Sequence, residues 1–189
     1  MLISLPVQQR PASLLALVVL LVAACALSWP ASAEEGSAKT AALGPSTNLP
    51  IPRFVSLKKD EVYMRRGPGE DQPIEWVYVR RHLPVEIINE YDIWREVRDA
   101  DGAQGWISAT MLSPERYVMV RKQVGQKDAR TPIYTRPDSK SPVVALAQPG
   151  VIAELRHCPD AWCEVEANDR TGWIERASIW GVLDNERVE

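Results

Sequence analysis

Between residues 54 and 183 the apolar positions fall in short runs, and no segment sustains a 3.6-residue period. Val85-Glu86-Ile87 alternates apolar and polar, as a half-buried strand does. Proline is spread through the whole segment, which disfavours long helices because each one removes an amide donor. Asp101-Gly102 separates the run around Val97 from the run around Trp106 and reads as a two-residue hairpin turn. Asn168-Asp169 is the corresponding signal further on. The pattern predicts an all-β protein.

The runs come in two related sets. The first reads Val62-Tyr63-Met64-Arg65-Arg66-Gly67-Pro68-Gly69, then Pro73, Val85, Trp94-Arg95-Glu96-Val97 and Gly105-Trp106-Ile107. The second reads Ile133-Tyr134-Thr135-Arg136-Pro137, then Pro142, Val151, Trp162-Cys163-Glu164-Val165 and Gly172-Trp173-Ile174. Pro68 and Pro137 are 69 residues apart, Trp94 and Trp162 are 68, and Trp106 and Trp173 are 67. Two single-residue deletions, each where a loop is expected, bring the sets into line. Ordered landmarks at nearly one offset mark an internal duplication. The boundaries that follow are 54–115 and 116–183 for two barrels of about 60 residues each, with a short tail at 184–189.

These motifs carry a family resemblance. Arg65-x-Gly67-Pro68-Gly69-x-x-x-Pro73, an apolar strand, Trp94-x-x-Val97 and Gly105-Trp106-Ile107 resemble the bacterial SH3 domain, also called SH3b. The resemblance spans residues 54–183. It implies tandem SH3-like barrels of five to six strands, and an association with cell-wall binding. The second copy departs from the pattern, with Tyr134 at the Arg65 position and Asp138 in place of Gly69. The first copy is therefore the better candidate for recognition, and the second reads as its structural partner. His82 stands where the second copy has Gly150, so a looser turn is expected there.

The seven Trp and five Tyr against one Phe change the picture from core to surface. Trp and Tyr join an apolar body to a polar tip and suit binding faces. Val97 and Ile107 pointing inward would leave Trp94 and Trp106 lining a groove. Tyr63 and Tyr78 join them, with Arg65 and Arg66 on the adjoining loop. Aromatic faces beside arginine suit a peptide ligand that carries a carboxylate. The competing reading is that the aromatics cover a small core and the arginines are solvated.

Charge excludes more than it selects. A net charge of −3 shows no pull toward nucleic acid. Residues 114–130 carry Arg116, Arg121, Lys122, Lys127 and Arg130 against Glu115 and Asp128. This basic connector reads as salt-bridged to its acidic neighbours rather than as a polymer-binding patch.

The first 33 residues read as an export signal. Leu14 to Ala26 is almost wholly apolar, and Ala31-Ser32-Ala33 offers a small-residue cleavage site. Val22-Ala23-Ala24-Cys25 also fits a lipobox, so lipidation at Cys25 or an uncleaved anchor remain open. Each reading exports the folded part, to the periplasm or to a membrane-anchored lipoprotein. Residues 34–53, rich in Ala, Ser, Thr, Pro and Gly, read as a flexible linker. In an oxidising compartment Cys158 and Cys163 read as a disulfide across a turn.

No chemistry is expected. His157 and Cys158 are neighbours in a strand and point to opposite faces, and Gly67-Pro68-Gly69 lacks the lysine and helix of a phosphate loop. No metal site and no cofactor are predicted. The expected role is a non-catalytic binding module for peptidoglycan peptide or glycan, or else an adaptor for an envelope protein. Membrane attachment is expected only if Cys25 is lipidated. The oligomeric state is left open.

Overall fold

The computed structural model describes residues 42–122 and 129–189. The expectations for residues 1–33 and Cys25, for 34–41, and for Lys127 and Asp128 lie outside the described residues. The first half contains β1 (Ala42–Leu43), β2 (Pro50–Ile51), β3 (Arg53–Leu57), β4 (Val62–Arg65) and β5 (Ile74–Tyr78). It continues with β6 (Pro84–Tyr91), β7 (Trp94–Arg98), β8 (Gln104–Ser108) and β9 (Leu112–Ser113). The second half contains β10 (Tyr117–Val120), β11 (Thr131–Tyr134), β12 (Val143–Ala147) and β13 (Ile152–His157). It ends with β14 (Trp162–Ala167), β15 (Arg170–Glu175) and β16 (Ile179–Trp180).

Two seven-stranded antiparallel sheets result, in the orders β5-β4-β8-β7-β6-β3-β9 and β12-β11-β15-β14-β13-β10-β16. The second order repeats the first, strand for strand. A one-turn 3-10 helix precedes each closing strand, at Ala109–Met111 and Arg176–Ser178. The all-β fold and its duplication are thus as expected, with the two-residue closing strands β9 and β16 included in the count of seven.

Alternation builds each core. Val62 and Met64 of β4, Val85 and Ile87 of β6, Val97 of β7 and Ile107 of β8 point into the first. Val118 and Val120, Ile133, Leu155, Val165 and Ile174 build the second. The same two bulges interrupt both sheets, between Met64 and Arg65 and between Ile133 and Tyr134, then between Ile87 and Asn89 and between Leu155 and His157. Each bulge shifts the register by one residue and so decides which later side chains face outward.

The two deletions lie in turns. Asn168 and Asp169 form a two-residue turn with φ +50° and +58°. In the first copy the expected Asp101-Gly102 two-residue turn is a three-residue loop. Asp99 N–H donates to the Ala103 carbonyl at 3.0 Å, and the Asp99 carboxylate accepts from the Asp101 and Ala103 amides. The Asp99 side chain satisfies amides that a shorter turn would not have left free, and Gly102 supplies the positive φ of 90°. The looser turn expected at His82 is also corrected. His82 has φ +65°, and its N–H donates to the Leu57 carbonyl as that of Gly150 (φ +81°) donates to Val120. The left-handed cost for a non-glycine residue is offset by the His82 ring packing on Tyr117 with centroids 4.0 Å apart.

Both ends of the described chain are tied down. Residues 42–53 differ from the flexible-linker expectation. β1 pairs with β2, and β3 begins at Arg53. The hairpin docks on Glu90, whose carboxylate accepts from the Ser46 and Thr47 amides, the Thr47 hydroxyl and the Arg53 guanidinium. Gly44 lies so close that a Cβ would stand 2.4 Å from the Glu90 carboxyl. The short tail at 184–189 is held to the second barrel. Val188 and Cys158 exchange both backbone hydrogen bonds.

Glu90 and Cys158 occupy the same place in their sheets. Glu90 pairs across β6–β7 with Arg95, and the two form a buried ion pair with Nε to Oε1 at 3.5 Å. In the second barrel the corresponding residues are Cys158 and Cys163, and they form the expected disulfide, both fully buried in the core. Burial opposes ionisation of Glu90. The hydrogen bonds from Arg53 and from the Thr47 side chain and amide, with the Arg53 charge, outweigh it and lower its pKa to about 2.

The basic stretch 114–130 is not one connector, because β10 lies inside it. Arg116 forms an ion pair with Glu186 and donates to the Gly181 carbonyl at 2.8 Å. Arg121 lies over Trp180 at 5.4 Å from the ring centroid. This agrees with internal salt bridging for Arg116. Where the barrels meet, the side of β3 and β6 that faces away from the first core is covered. Phe54 meets the Trp180 ring edge-on at 5.0 Å, and Ser56 donates to the Glu115 carbonyl at 2.9 Å. Glu86, 4% exposed on that side, is held by Arg98 at 2.6 Å.

Candidate functional site

The side of each sheet that faces away from its core at β7–β8, and at β14–β15, carries the aromatic residues. In the first barrel Glu96 of β7 lies opposite Trp106 of β8, Arg65 of β4 lies on the other flank of Trp106, and Asn89 of β6 lies opposite Glu96. Trp106 is half-buried, and Tyr63 and Arg66 are exposed. Arg65 is partly committed, since its Nη1 donates to the Gln72 carbonyl at 2.7 Å and shapes the Gly67-Pro68-Gly69 loop. The Tyr63 hydroxyl donates to Glu61. The structure therefore brings Arg65, Glu96 and Trp106 together, with Tyr63 further along β4.

Two predicted groove residues add no open surface to this face. Trp94 is opposite Ser108, on the same side as Glu96, as its spacing from Val97 predicts. It is nevertheless only 8% exposed, so its ring offers no contact surface. Alternation fixes the side of the sheet, while exposure depends on what other segments lay over that side. Tyr78 does not face this surface at all. It packs against the first core, and its hydroxyl donates to Asp99 Oδ2 at 2.9 Å. Burial and that carboxylate push the phenol pKa up.

The second barrel repeats the registers with different residues. Glu164 lies opposite Trp173, Tyr134 flanks Trp173, His157 lies opposite Glu164, and Trp162 lies opposite Glu175. Tyr134 meets Trp162 edge-on at 5.5 Å, and His157 meets Trp173 edge-on at 6.3 Å. All four rings are half-buried. The face expected to be merely structural thus carries four aromatic side chains at the positions of Arg65, Asn89, Trp94 and Trp106. The duplication itself held the signal for them, had each first-copy candidate been projected onto the second copy.

Cys158 is consumed by its disulfide. Among the described residues no group of three His, Cys, Asp or Glu side chains is placed to hold a metal ion.

The family described as bacterial SH3 domain matches the sequence twice, over residues 58–114 and 127–181. The chain belongs to the bacterial SH3 domain family. Each match covers six of the seven strands of one sheet and begins after its first strand, β3 or β10. Such domains are binding modules and typically non-catalytic, and together with a buried disulfide they fit an extracytoplasmic protein. Two solved structures are similar over part of their length. That of NlpC1 from Trichomonas vaginalis is 14% identical with a TM-score of 0.31, covering 74% of this chain and 49% of that one. That of NlpC2 from the same organism is 12% identical with a TM-score of 0.31, covering 69% and 48%. The chain spans about half the length of the solved structures it matches. None of the curated proteins matches it.

Proposed function

We propose that this protein is a non-catalytic binding module of the bacterial cell envelope that recognises peptidoglycan through its peptide or glycan. The observation that carries the reading is the repeated outer face. Each of two bacterial SH3 domains sets a half-buried tryptophan, Trp106 or Trp173, directly opposite a glutamate, Glu96 or Glu164. A flat apolar ring covers the apolar face of a sugar or a peptide side chain. A carboxylate beside it accepts from hydroxyl or ammonium groups. Arg65 adds a cation for a peptide carboxylate in the first barrel alone.

Retention of the purified protein on isolated cell-wall sacculi tests the reading. Trp106→Ala and Trp173→Ala should each weaken retention at least tenfold while the thermal transition stays within a few degrees of the parent. No retention of the parent at low salt would overturn it.

An exposed apolar strip favours a second reading, that of an adaptor for an envelope protein. Ile74, Trp76 and Val77 of β5 and Val79 just beyond it are all exposed, with Val79 at 76%. Crosslinking in cells separates the two. An adaptor gives one dominant protein adduct from Trp76, and a wall-binding module gives none.

A further inference from the structure

The two barrels differ most at the seam between their first edge strand and the hairpin tip across from it. In the first barrel the seam is closed by one pair of side chains. Tyr78, on edge strand β5 opposite Val62, reaches Asp99 at the β7–β8 turn. In the second barrel the residue on edge strand β12 opposite Thr131 is Ala147. The residue at the β14–β15 turn that follows Glu166, as Asp99 follows Arg98, is Ala167. Both members of the closing pair are reduced to methyl groups.

The seam is correspondingly open. A groove of about 550 Å³ lies there, within the range of sites that hold peptides or small ligands. Its floor is apolar, with Ile133 and Ala147 9% and 7% exposed. Ala167 forms part of the far wall, and the side chains of Asn168, Arg170 and Thr171 stand at the turn beyond it. The near wall is made by the five consecutive residues 144–148. Alternate side chains of a strand face opposite ways. The groove thus reaches the whole of this stretch of β12, an edge strand whose outer side pairs with no other strand among the described residues. None of Tyr134, His157, Trp162, Glu164 and Trp173 lines it.

We propose that this groove is a peptide-binding site that takes an extended segment carrying a tyrosine side chain. The segment adds to the free edge of β12 through backbone hydrogen bonds. Its tyrosine ring enters the space that Tyr78 fills from within the chain in the first barrel. There the ring packs on Ile133 and Ala147, as Tyr78 packs on the first core with its hydroxyl 3.5 Å from the Met64 sulfur. With Ala167 offering no acceptor, the hydroxyl of the guest is met by the polar side chains at the turn. The site uses none of the aromatic and glutamate residues of the outer faces, so it stands or falls independently of wall binding.

Titration of the isotope-labelled full chain with an acetylated and amidated threonine–valine–tyrosine–valine–threonine peptide tests this. Saturable amide shifts are expected at residues 144–148 and 167–171, with the alanine version of the peptide binding at least tenfold more weakly. Ala147→Tyr combined with Ala167→Asp, which rebuilds the closure of the first barrel, should abolish binding and raise the thermal midpoint. Leu146→Lys changes an exposed wall residue, so the fold is kept, and it should weaken binding about fivefold. Three results would each overturn the proposal. One is the absence of shifts at these amides with the tyrosine peptide. Another is equal affinity for the alanine peptide, which would reduce the site to generic edge pairing. The last is concentration-dependent self-association that the double variant removes, which would make the groove an interface between copies.

Discussion

The hairpin end that anchors each barrel is built on Glu90 and Arg95 in one copy and on Cys158 and Cys163 in the other. The backbone is the same and the register is the same, yet one end depends on charge and the other on a covalent bond. Each end also holds down an extra segment. Glu90 collects the amides of the β1–β2 hairpin, while Cys158 offers its backbone to Val188. A buried carboxylate can organise several donors at once but must be fully paired, because an unpaired charge in the interior is costly. A disulfide organises only its own two strands but needs no partners. The difference explains why the charged end is surrounded by Arg53, Arg95 and Thr47. The covalent end relies on Arg176, which donates from outside the core to the Cys158, Asp160 and Leu183 carbonyls.

Breaking the charged end should have the largest effect. Glu90→Ala leaves Arg53 and Arg95 without their common partner, and about 3–5 kcal/mol of unfolding free energy should be lost in a denaturant titration. Residues 42–51 should at the same time become accessible to proteases, whereas residues 184–189 should not.

Acid probes the same end without mutation. The carboxyl of Glu90 titrates at about 2 in the folded state against 4.5 ordinarily. Because the folded pKa is depressed, the stabilisation is complete above about 4.5 and is lost as pH falls from there through about 2. The linked free energy is about 3 kcal/mol. Denaturation curves at pH 7, 4 and 2 should show this loss in the parent and not in Glu90→Gln. A parallel decline in both would refute the assignment to Glu90.

Reduction of the disulfide, or Cys158→Ala with Cys163→Ala, should cost less. The closed loop is short, and about 2 kcal/mol is expected. This loss should be independent of pH between 7 and 2, which separates it from that at Glu90. Sensitivity of the second barrel to reductant, with the first unchanged by the dispersion of its amide signals, is the measurement.

The smallest effect concerns the seam. Tyr78→Phe removes the hydrogen bond to Asp99, which keeps its contacts to the Asp101 and Ala103 amides, and about 1–2 kcal/mol should be lost. Tyr78→Ala with Asp99→Ala should go further and give the first barrel a groove like that of the second. A cavity-sensitive xenon or peptide titration would then show sites in both barrels.

Much of the fold was legible along the chain. The offsets between Pro68 and Pro137, Trp94 and Trp162, and Trp106 and Trp173 located the repeats and the deletions, and the turn residues between Cys158 and Cys163 pointed to the disulfide, since strand alternation and turn chemistry act over a few residues. The candidate site was legible only in part. Arg65 and Trp106 meet across β4–β8, with Arg65 at the end of the strand rather than on the adjoining loop. Trp94 and Tyr78 do not join them, and Tyr134, His157, Trp162 and Trp173 were passed over in the second copy. The spacing of Trp94 correctly predicts its side of the sheet but carries no information on what covers that side.

By itself the sequence determined a duplicated all-β chain, the place of each repeat along it, and the disulfide between Cys158 and Cys163. Only the tertiary structure decided which faces stay open. It covered Phe54 and Glu86 with the second barrel, folded residues 42–51 onto Glu90, and left a groove at Ala147 and Ala167. The physical reason is range. Alternation, turn formation and repeat spacing are local, whereas exposure is set by segments far apart in the chain that meet only once the sheets have closed on their cores.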